Sequence, residues 1–190
     1  MSAIELHERI VHTTVDDPRA RPLFDGLEQE YGTRYRDVIA RIGGTARDEL
    51  LRYPATAFAP PHGAFLLLLR QDEVIGGGAF MRHRDPHTAE VKRVWTRHDL
   101  RRQGIARRVL DALEVQAIEQ GYRRFYLTTG FRQPEAVGLY LRHGYTALFD
   151  LQADPETVVH LPFEKWLLTS LEVPLDTPPR HHVPARTQRL

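Results

Sequence analysis

A short loop rich in arginine holds the residues with the clearest chemical potential. Its sequence is Arg101-Arg102-Gln103-Gly104-Ile105-Ala106. A helical pattern begins at Gly104, and the first turn of a helix offers free backbone N–H groups and the positive end of the helix dipole to an anion. Because Gly104 and Ala106 have no side chain or a small one, a phosphate group can approach the backbone. The loop therefore predicts a site for a phosphorylated ligand.

The distribution of charge agrees with a small anionic ligand. The net charge is only +1, so no global field attracts nucleic acid, yet basic residues cluster around the loop. They are Lys92, Arg93, Arg97, Arg101, Arg102, Arg107 and Arg108. Two other interpretations stay open, a solvated helix start and a surface for a nucleic-acid backbone. Since no recognised nucleic-acid motif accompanies the cluster, we expect no nucleic-acid partner.

The hydrophobic pattern on both sides of the loop predicts the elements that position it. A strand over Thr88 to Thr96 precedes the loop, and a helix over Gly104 to Gln120 follows it, with apolar residues at every fourth position and Gly121 at its end. A strand over Arg124 to Thr129 and a short helix over Pro134 to Arg142 come next. A phosphate loop between a strand and a helix is the expected arrangement.

The remaining chain completes one α/β domain over residues 1–168. Before the loop, the pattern predicts a strand over Ile4 to Val15 and helices over Pro22 to Tyr31 and Arg36 to Arg52, the second with a break at Gly43-Gly44. A loop over Pro54 to Gly63 and a hairpin of Phe65 to Arg70 and Val74 to His83 follow. Two closing strands are predicted over Tyr145 to Leu151 and Thr157 to Phe163. Residues 169–190 are rich in proline, histidine and arginine, which predicts a flexible tail.

Together with a second segment, the loop resembles the GNAT superfamily of acyl-CoA-dependent N-acyltransferases. The superfamily signature is Arg or Gln, two residues, Gly, one residue, then Gly or Ala, which Arg101, Gly104 and Ala106 match. The second segment, Leu127 to Gly130 followed by Gln133 to Tyr145, ends in the superfamily's Tyr-x-x-x-Gly-aromatic pattern. The six-residue signature is weak alone, and the joint match is what makes the resemblance specific.

The resemblance spans Phe65 to Phe163 and implies a mixed, mostly antiparallel sheet with flanking helices and a splayed cleft for acetyl-CoA, without a metal. The sheet is expected to splay where the strand before the loop meets Phe125 to Thr129. The implied coenzyme contacts are Val94, Trp95, Thr96, Arg101, Arg102, Gln103, Gly104, Ile105, Ala106, Arg107, Thr129 and Gln133. Gln133 stands where the superfamily often has Asn, and Tyr145 replaces the commoner Phe.

The chain contains no cysteine, which excludes disulfides, thiolate metal sites and a covalent thiol intermediate on the enzyme. Direct attack of a bound amine on the thioester is then the simplest scheme, and the resemblance implies the same ternary complex. Glu90, on the predicted strand over Thr88 to Thr96, is our candidate for the general base. An ion pair with Lys92 or Arg93 is the alternative role for Glu90, and His83 and His87 are rival bases.

The acid that protonates the leaving thiolate is predicted to be Tyr140. The resemblance implies that this tyrosine points toward the coenzyme sulfur, and the alternative is an aromatic residue of the core. A backbone N–H group of Trp95 or Thr96 is expected to hold the developing oxyanion.

The acceptor is predicted only as a small-molecule or peptide amine. Acidic side chains that could bind a cationic amine are Glu28, Glu30, Asp37, Asp48 and Glu49, although on amphipathic helices they are usually the solvated face. Members of the superfamily often form dimers, so the resemblance implies a homodimer as one oligomeric state for this chain. A catalytically silent acyl-CoA-binding regulator and a nucleic-acid-binding module are the alternative functions.

Three further patterns have simpler interpretations. Gly76-Gly77-Gly78 lies within a strand pattern and predicts a bulge or a close backbone approach instead of a dinucleotide loop. His181-His182 lacks nearby ligands for a metal site. The longest apolar run, Ala64 to Leu69, is far below the roughly 20 residues that span a bilayer, and no signal sequence is visible, so we expect a cytoplasmic protein without a membrane partner.

Overall fold

Seven strands form one sheet in the computed structural model of the protein, which describes residues 7–167. The strands are Glu8–Thr13 (β1), Ala64–Arg70 (β2), Glu73–Arg82 (β3), Thr88–Thr96 (β4), Arg124–Gly130 (β5), Thr146–Ala147 (β6) and His160–Trp166 (β7). The helices are Arg21–Arg34 (α1), Arg36–Ile42 (α2), Ala46–Leu50 (α3), Ile105–Glu119 (α4), Pro134–Arg142 (α5) and Pro155–Val158 (α6). The tail predicted at 169–190, with His181 and His182, lies outside the described residues.

The sheet is mixed and mostly antiparallel, as predicted. Its strand order is β1-β2-β3-β4-β5-β7-β6, and β4 and β5 form the parallel pair. The other neighbouring strands run antiparallel. Short turns connect β2, β3 and β4 into a meander, and β7 lies between β5 and β6. No helix among the described residues has the length and apolar character needed to cross a bilayer.

The sheet splays between its two parallel strands. Pairing of β4 with β5 is confined to the start of both strands, from Thr88 with Arg124 to Glu90 with Tyr126. Beyond that point β5 stays hydrogen-bonded to β7 along its other edge, while β4 continues beside β3. The edge of β4 from Val91 onward therefore has no strand partner on the β5 side, which confirms the predicted opening at this place.

Helices cover both faces of the sheet. The apolar stripe of α4 packs on one face, where Val109, Leu110 and Leu113 are fully buried. On the opposite face α1 buries Leu23 and Leu27 against the meander. Burying an aliphatic side chain of this size contributes about 1.5–3 kcal/mol, so these two layers fix α4 and α1 on either side of the opening.

The three glycines of β3 allow the helices to approach the sheet closely. A Cβ atom at Gly76 would lie 2.6 Å from the side chain of Ile105, and one at Gly77 would lie 2.7 Å from Leu23. The pairing register between β3 and β4 also shifts at these residues. Both predicted roles, a bulge and a close backbone approach, are confirmed. The approach at Gly76 seats the first residue of α4 directly against the sheet.

The last two predicted strands are present, but their bounds were predicted wrongly. Pairing after α5 is limited to Thr146–Ala147, and the first two residues of the strand predicted from Thr157 belong to a helical turn, α6. The reason is a local helix start: the side chain of Asp154 accepts a hydrogen bond from the backbone of Glu156 at 3.0 Å, and a proline occupies the first helical position. Strand β7 consequently begins at His160.

Candidate active site

The opening between β4 and β5 leads into a cavity of about 710 Å³. Five parts of the chain line it: α1, the end of β4, the loop before α4, the first turn of α4, and α5. The lining residues are Leu27, Glu30, Val94, Trp95, Thr96, Arg101, Arg102, Gly104, Ile105, Ala106, Arg107, Gln133, Glu135, Ala136, Leu139, Tyr140, Arg142 and His143. The arginine-rich loop and the tyrosine predicted as the acid thus share one space.

The loop presents an uncapped helix start to the cavity. Gly104 precedes the first residue of α4 in the left-handed region, with φ of 75°, and Arg102 also has a positive φ, of 64°. The N–H groups of the first turn of a helix have no intrahelical acceptor, and no side chain caps α4 to supply one. Arg102 forms no ion pair with the other described residues. The arrangement offers backbone donors, the helix dipole and a free cation to an anion.

Most of the predicted coenzyme residues lie together in the cavity lining. They are Val94, Trp95, Thr96, Arg101, Arg102, Gly104, Ile105, Ala106, Arg107 and Gln133. Two others are not part of the lining. Gln103 is turned toward Arg70, at 3.4 Å, and the hydroxyl of Thr129 donates to the Gln133 amide oxygen at 2.9 Å. Gln133 is thus engaged at the end of β5.

Strand β4 carries a bulge just before its cavity-lining residues. Arg93 has φ of 59°, and the register against β3 shifts nearby. The bulged Arg93 side chain is buried under Phe24 and Phe58, whereas Val94, Trp95 and Thr96 follow along the unpaired edge. Burial lowers the pKa of Arg93 to about 10. Since β5 has already diverged, backbone groups along this edge are available to a ligand.

Tyr140 is placed by the apolar face of α5. Its ring packs against Tyr145 and Phe163, with centroids 5.4 and 5.5 Å away, and only 8% of the residue is exposed. Among the described residues, none forms a hydrogen bond with its hydroxyl. Burial raises the pKa of Tyr140 above its ordinary value. The phenol is therefore protonated near neutral pH and able to donate a proton.

Comparison with known proteins decides the family. The sequence profile of the Acetyltransferase (GNAT) family matches residues 24–145, more than half of the chain. The chain belongs to the acetyltransferase (GNAT) family. The matched range contains the splayed strands, the loop and Tyr140, so the recognised sequence and the cavity coincide. The protein is accordingly an acetyltransferase by family.

Two relatives and one solved structure illustrate the similarity. An uncharacterized N-acetyltransferase of Escherichia coli K12, YjgM, is 26% identical over 135 residues, covering 70% of this chain and 78% of YjgM. An IAA acetyltransferase of Azospirillum brasilense is 32% identical over 87 residues, covering 46% of this chain and 57% of that protein. A putative acyl-CoA N-acyltransferase from Klebsiella pneumoniae shares the fold, with a TM-score of 0.63, 23% identity and coverage of 85% and 98%.

The structure of this acetyltransferase puts the candidate base outside the cavity lining. Glu90 lies 2.6 Å from the Lys92 ammonium, and its side chain is 15% exposed. His83 is nearby, beside the ring of Tyr126 at 5.0 Å. Burial lowers the pKa of His83, although the carboxylates of Asp85 and Glu90 oppose the shift. His83 is thus neutral at physiological pH, whereas His87 is exposed in a turn.

Sequence reasoning missed the cavity residues on the outer helices. On α5 and directly after it they are Glu135, Ala136, Leu139, Arg142 and His143, and on α1 it is Leu27, whereas Glu30 had been named only as one of several acidic candidates for the acceptor. For Ala136 and His143 a signal existed, because residues three or four positions from Tyr140 share its helical face. For α1 no local signal existed, since its approach to the cavity depends on tertiary packing.

The described residues contain no group of three or more histidine, aspartate or glutamate side chains suited to a metal. The acidic residues near the cavity are engaged by arginines instead. Glu30 pairs with Arg101 at 2.6 Å and with Arg34 at 3.1 Å, and Arg34 also pairs with Glu135. The carboxylates of Glu30 and Glu135 are therefore both paired with arginine.

Proposed function

We propose that the protein binds acetyl-CoA in the cavity and transfers its acetyl group to a primary amine. The observation that carries the proposal is that one cavity is lined both by the uncapped start of α4 and by Tyr140. The first feature suits a diphosphate, and the second suits a leaving thiolate. A PaiA N-acetyltransferase of Thermoplasma acidophilum, solved with coenzyme A, has the same fold at a TM-score of 0.61 and 13% identity, covering 85% of this chain and 99% of that one.

The coenzyme would be held mainly by main-chain groups. The N–H groups at the start of α4 would bind the diphosphate, with Arg101 and Arg102 adding charge-assisted hydrogen bonds. The free edge of β4 at Trp95 and Thr96 would pair with the amide groups of the coenzyme arm and stabilise the oxyanion. These residues line the same cavity as Tyr140.

The reaction needs a proton acceptor for the amine and a proton donor for the thiolate. With no cysteine in the chain, the amine nitrogen would attack the thioester carbon directly, and the C–S bond would break as Tyr140 protonates the sulfur. Glu90 would accept the amine proton through water, since it lies outside the cavity lining. His83, neutral and close to Glu90, is the alternative acceptor.

The proposal is tested by thiol release from acetyl-CoA across a broad panel of primary amines. We expect at least one amine to accelerate release of free coenzyme A, with the acetylated amine detected by mass spectrometry. Calorimetry with coenzyme A, run in parallel, separates the alternatives. Binding without turnover of any amine would favour a silent acyl-CoA-binding regulator, and absence of binding would contradict the coenzyme site itself.

A further inference from the structure

Four charged side chains form a series of ion pairs that connects the loop to α5. Arg101 donates to Glu30 of α1 at 2.6 Å, and Glu30 also pairs with Arg34, one turn later, at 3.1 Å. Arg34 in turn pairs with Glu135 in the first turn of α5. Glu30 is the least exposed of the four, at 16% of its side chain. It is the carboxylate that connects the loop to the rest of the chain of charges.

The Arg101–Glu30 ion pair separates two cavities. Glu30, Trp95 and Arg101 line both the active-site cavity and a second cavity, also of about 710 Å³, between α1 and the segment 97–101. A change of partner at Arg101 would therefore alter the wall that the two cavities share. Glu30 would stay in that wall, because α1 is fixed by the burial of Leu23 and Leu27.

A diphosphate at the start of α4 would compete with Glu30 for Arg101. Both are anions that use the same guanidinium donors, and Arg101 forms no other ion pair with the described residues. We propose that Glu30 changes partner during the reaction, from Arg101 to a cationic group of the acceptor, when coenzyme binding takes Arg101. This inference rests on the proposed function and adds the class of acceptor to it.

The balance of charge among these four side chains indicates the class of acceptor. In the structure Arg101 and Arg34 balance Glu30 and Glu135. Once Arg101 serves a diphosphate, Arg34 alone is left to balance both carboxylates, and Glu30, whose side chain is only 16% exposed, loses one of its two cationic partners, which is unfavourable for a charge with little access to water. The attacking amine cannot supply that cation, since it must be deprotonated to react. The acceptor is therefore an amine that carries a second positive charge.

The exchange is tested first by coenzyme A binding. Glu30→Gln keeps the shape of the side chain and removes the competing charge, so it should bind coenzyme A at least about fivefold more tightly than the wild type in calorimetry. In an Arg101→Gln background the same substitution should change the affinity by less than about twofold. Glu28→Gln is the matched control, because Glu28 pairs with Arg47 of α3 at 2.8 Å and lines neither cavity.

Weaker or unchanged binding by Glu30→Gln, or an equal gain without Arg101, would overturn the exchange. Failure of the wild type to bind coenzyme A would instead contradict the proposed function, and with it the exchange. Thermal unfolding of each variant shows whether its fold is retained. An unfolded Glu30→Gln protein would be replaced by Glu30→Asp, for which we expect weaker pairing to Arg101 and a smaller gain in affinity.

The class of acceptor is tested by thiol release with 1,3-diaminopropane and propylamine. The wild type and Glu28→Gln should favour the diamine by at least about tenfold in kcat/KM, and Glu30→Gln should reduce that preference to less than about twofold. The same preference in the wild type and Glu30→Gln, or no turnover of either amine, would contradict the cationic acceptor. The coenzyme A titrations would then still report whether the proposed coenzyme site exists.

Discussion

Two tyrosines in contact differ in what their hydroxyl groups can reach. Tyr140 and Tyr145 pack with ring centroids 5.4 Å apart, and burial raises the pKa of both. Only Tyr140 lines the cavity, whereas the hydroxyl of Tyr145 is buried without a hydrogen-bond partner. A proton can therefore pass to a ligand from Tyr140 and not from Tyr145. The pair offers an internal control for the role of the acid.

Tyr140→Phe removes the proposed proton donor and little else. Because the ring contacts remain, we expect the affinity for coenzyme A to change by less than about twofold while kcat falls by about 100-fold, the usual scale for loss of a general acid. Steady-state thiol release and calorimetry measure the two effects. A variant with wild-type kcat would exclude Tyr140 as the acid.

Tyr145→Phe should instead act on stability. It removes a buried hydroxyl that has no partner, so the free energy of unfolding should rise by about 1 kcal/mol with kcat unchanged. Urea unfolding followed by fluorescence measures the change. A loss of stability would show that this hydroxyl is satisfied in solution, for example by water.

Individual site residues could be predicted from the sequence where they belong to a local pattern. Tyr140 and the loop were accessible because their spacing and the strand and helix around them can be read along the chain. Glu30 could be named only as one of several acidic residues, since its contact with Arg101 joins positions 71 residues apart. The contact of Glu90 with Lys92 is local, and it matches the alternative weighed for Glu90 from the sequence.

Among the elements, the loop after β5 is tied to three helices through Arg132. Its guanidinium pairs with Asp37 of α2 at 2.5 and 3.0 Å and with Glu156 of α6 at 2.8 Å, and it donates to the carbonyl of Arg34 at the end of α1. This clamp holds the α1–α2 corner beside the cavity. Hydrogen bonding from Arg132 lowers the pKa of Asp37 from 3.8 to about 2.

The lowered pKa sets a pH dependence. A carboxyl whose native pKa lies below its unfolded value stabilises the fold above that unfolded value, and the contribution is lost as the pH falls through the native pKa. Asp37→Asn should therefore unfold at a lower temperature than the wild type at pH 6, and the difference should disappear between pH 4 and pH 2.

Calorimetric melting across that range measures the difference. Asp25→Asn is the control, because Asp25 has a longer ion pair, 3.5 Å, within α1. A difference between wild type and Asp37→Asn that persisted at pH 2 would contradict the assignment.

Elements with strong periodicity were predicted well, and those decided by a single cap were not. The predicted bounds of β4 and α5 coincide with the structure, and α4 differs by one residue at each end. The error at β7 arose because valine and phenylalanine between 157 and 163 favour a strand, whereas Asp154 starts a helical turn first. Local capping outweighed β propensity there.

For the whole molecule, the two cores on opposite faces of the sheet decide where the cavity opens. The meander and α4 could be assembled from their patterns, and the mixed sheet followed from the family resemblance. The position of α1 over the cavity could not be predicted, because it depends on contacts between residues far apart in sequence. The structure consequently adds most to the sequence predictions on the side of the cavity formed by α1, where we propose that the acceptor binds.

A ligand that binds only the native protein raises its stability by mass action. With coenzyme A at about 100 times its Kd, the free energy of unfolding should rise by about 2.7 kcal/mol, visible as a higher melting temperature. Duplex DNA at 0.15 M salt should leave that temperature unchanged. A shift produced by DNA that weakens steeply with salt would support the nucleic-acid alternative.

The central claim is that the start of α4 binds a diphosphate, and two matched glycines test it directly. Gly104 and Gly121 precede and follow α4 with φ of 75° and 85°, and a Cβ atom at either position meets nothing within 4 Å. Glutamate at either site brings similar backbone strain and the same charge, but only Gly104→Glu puts that charge at the proposed site. In calorimetry with coenzyme A we predict binding by the wild type and Gly121→Glu and none by Gly104→Glu. Equal affinity of both folded variants would contradict the claim.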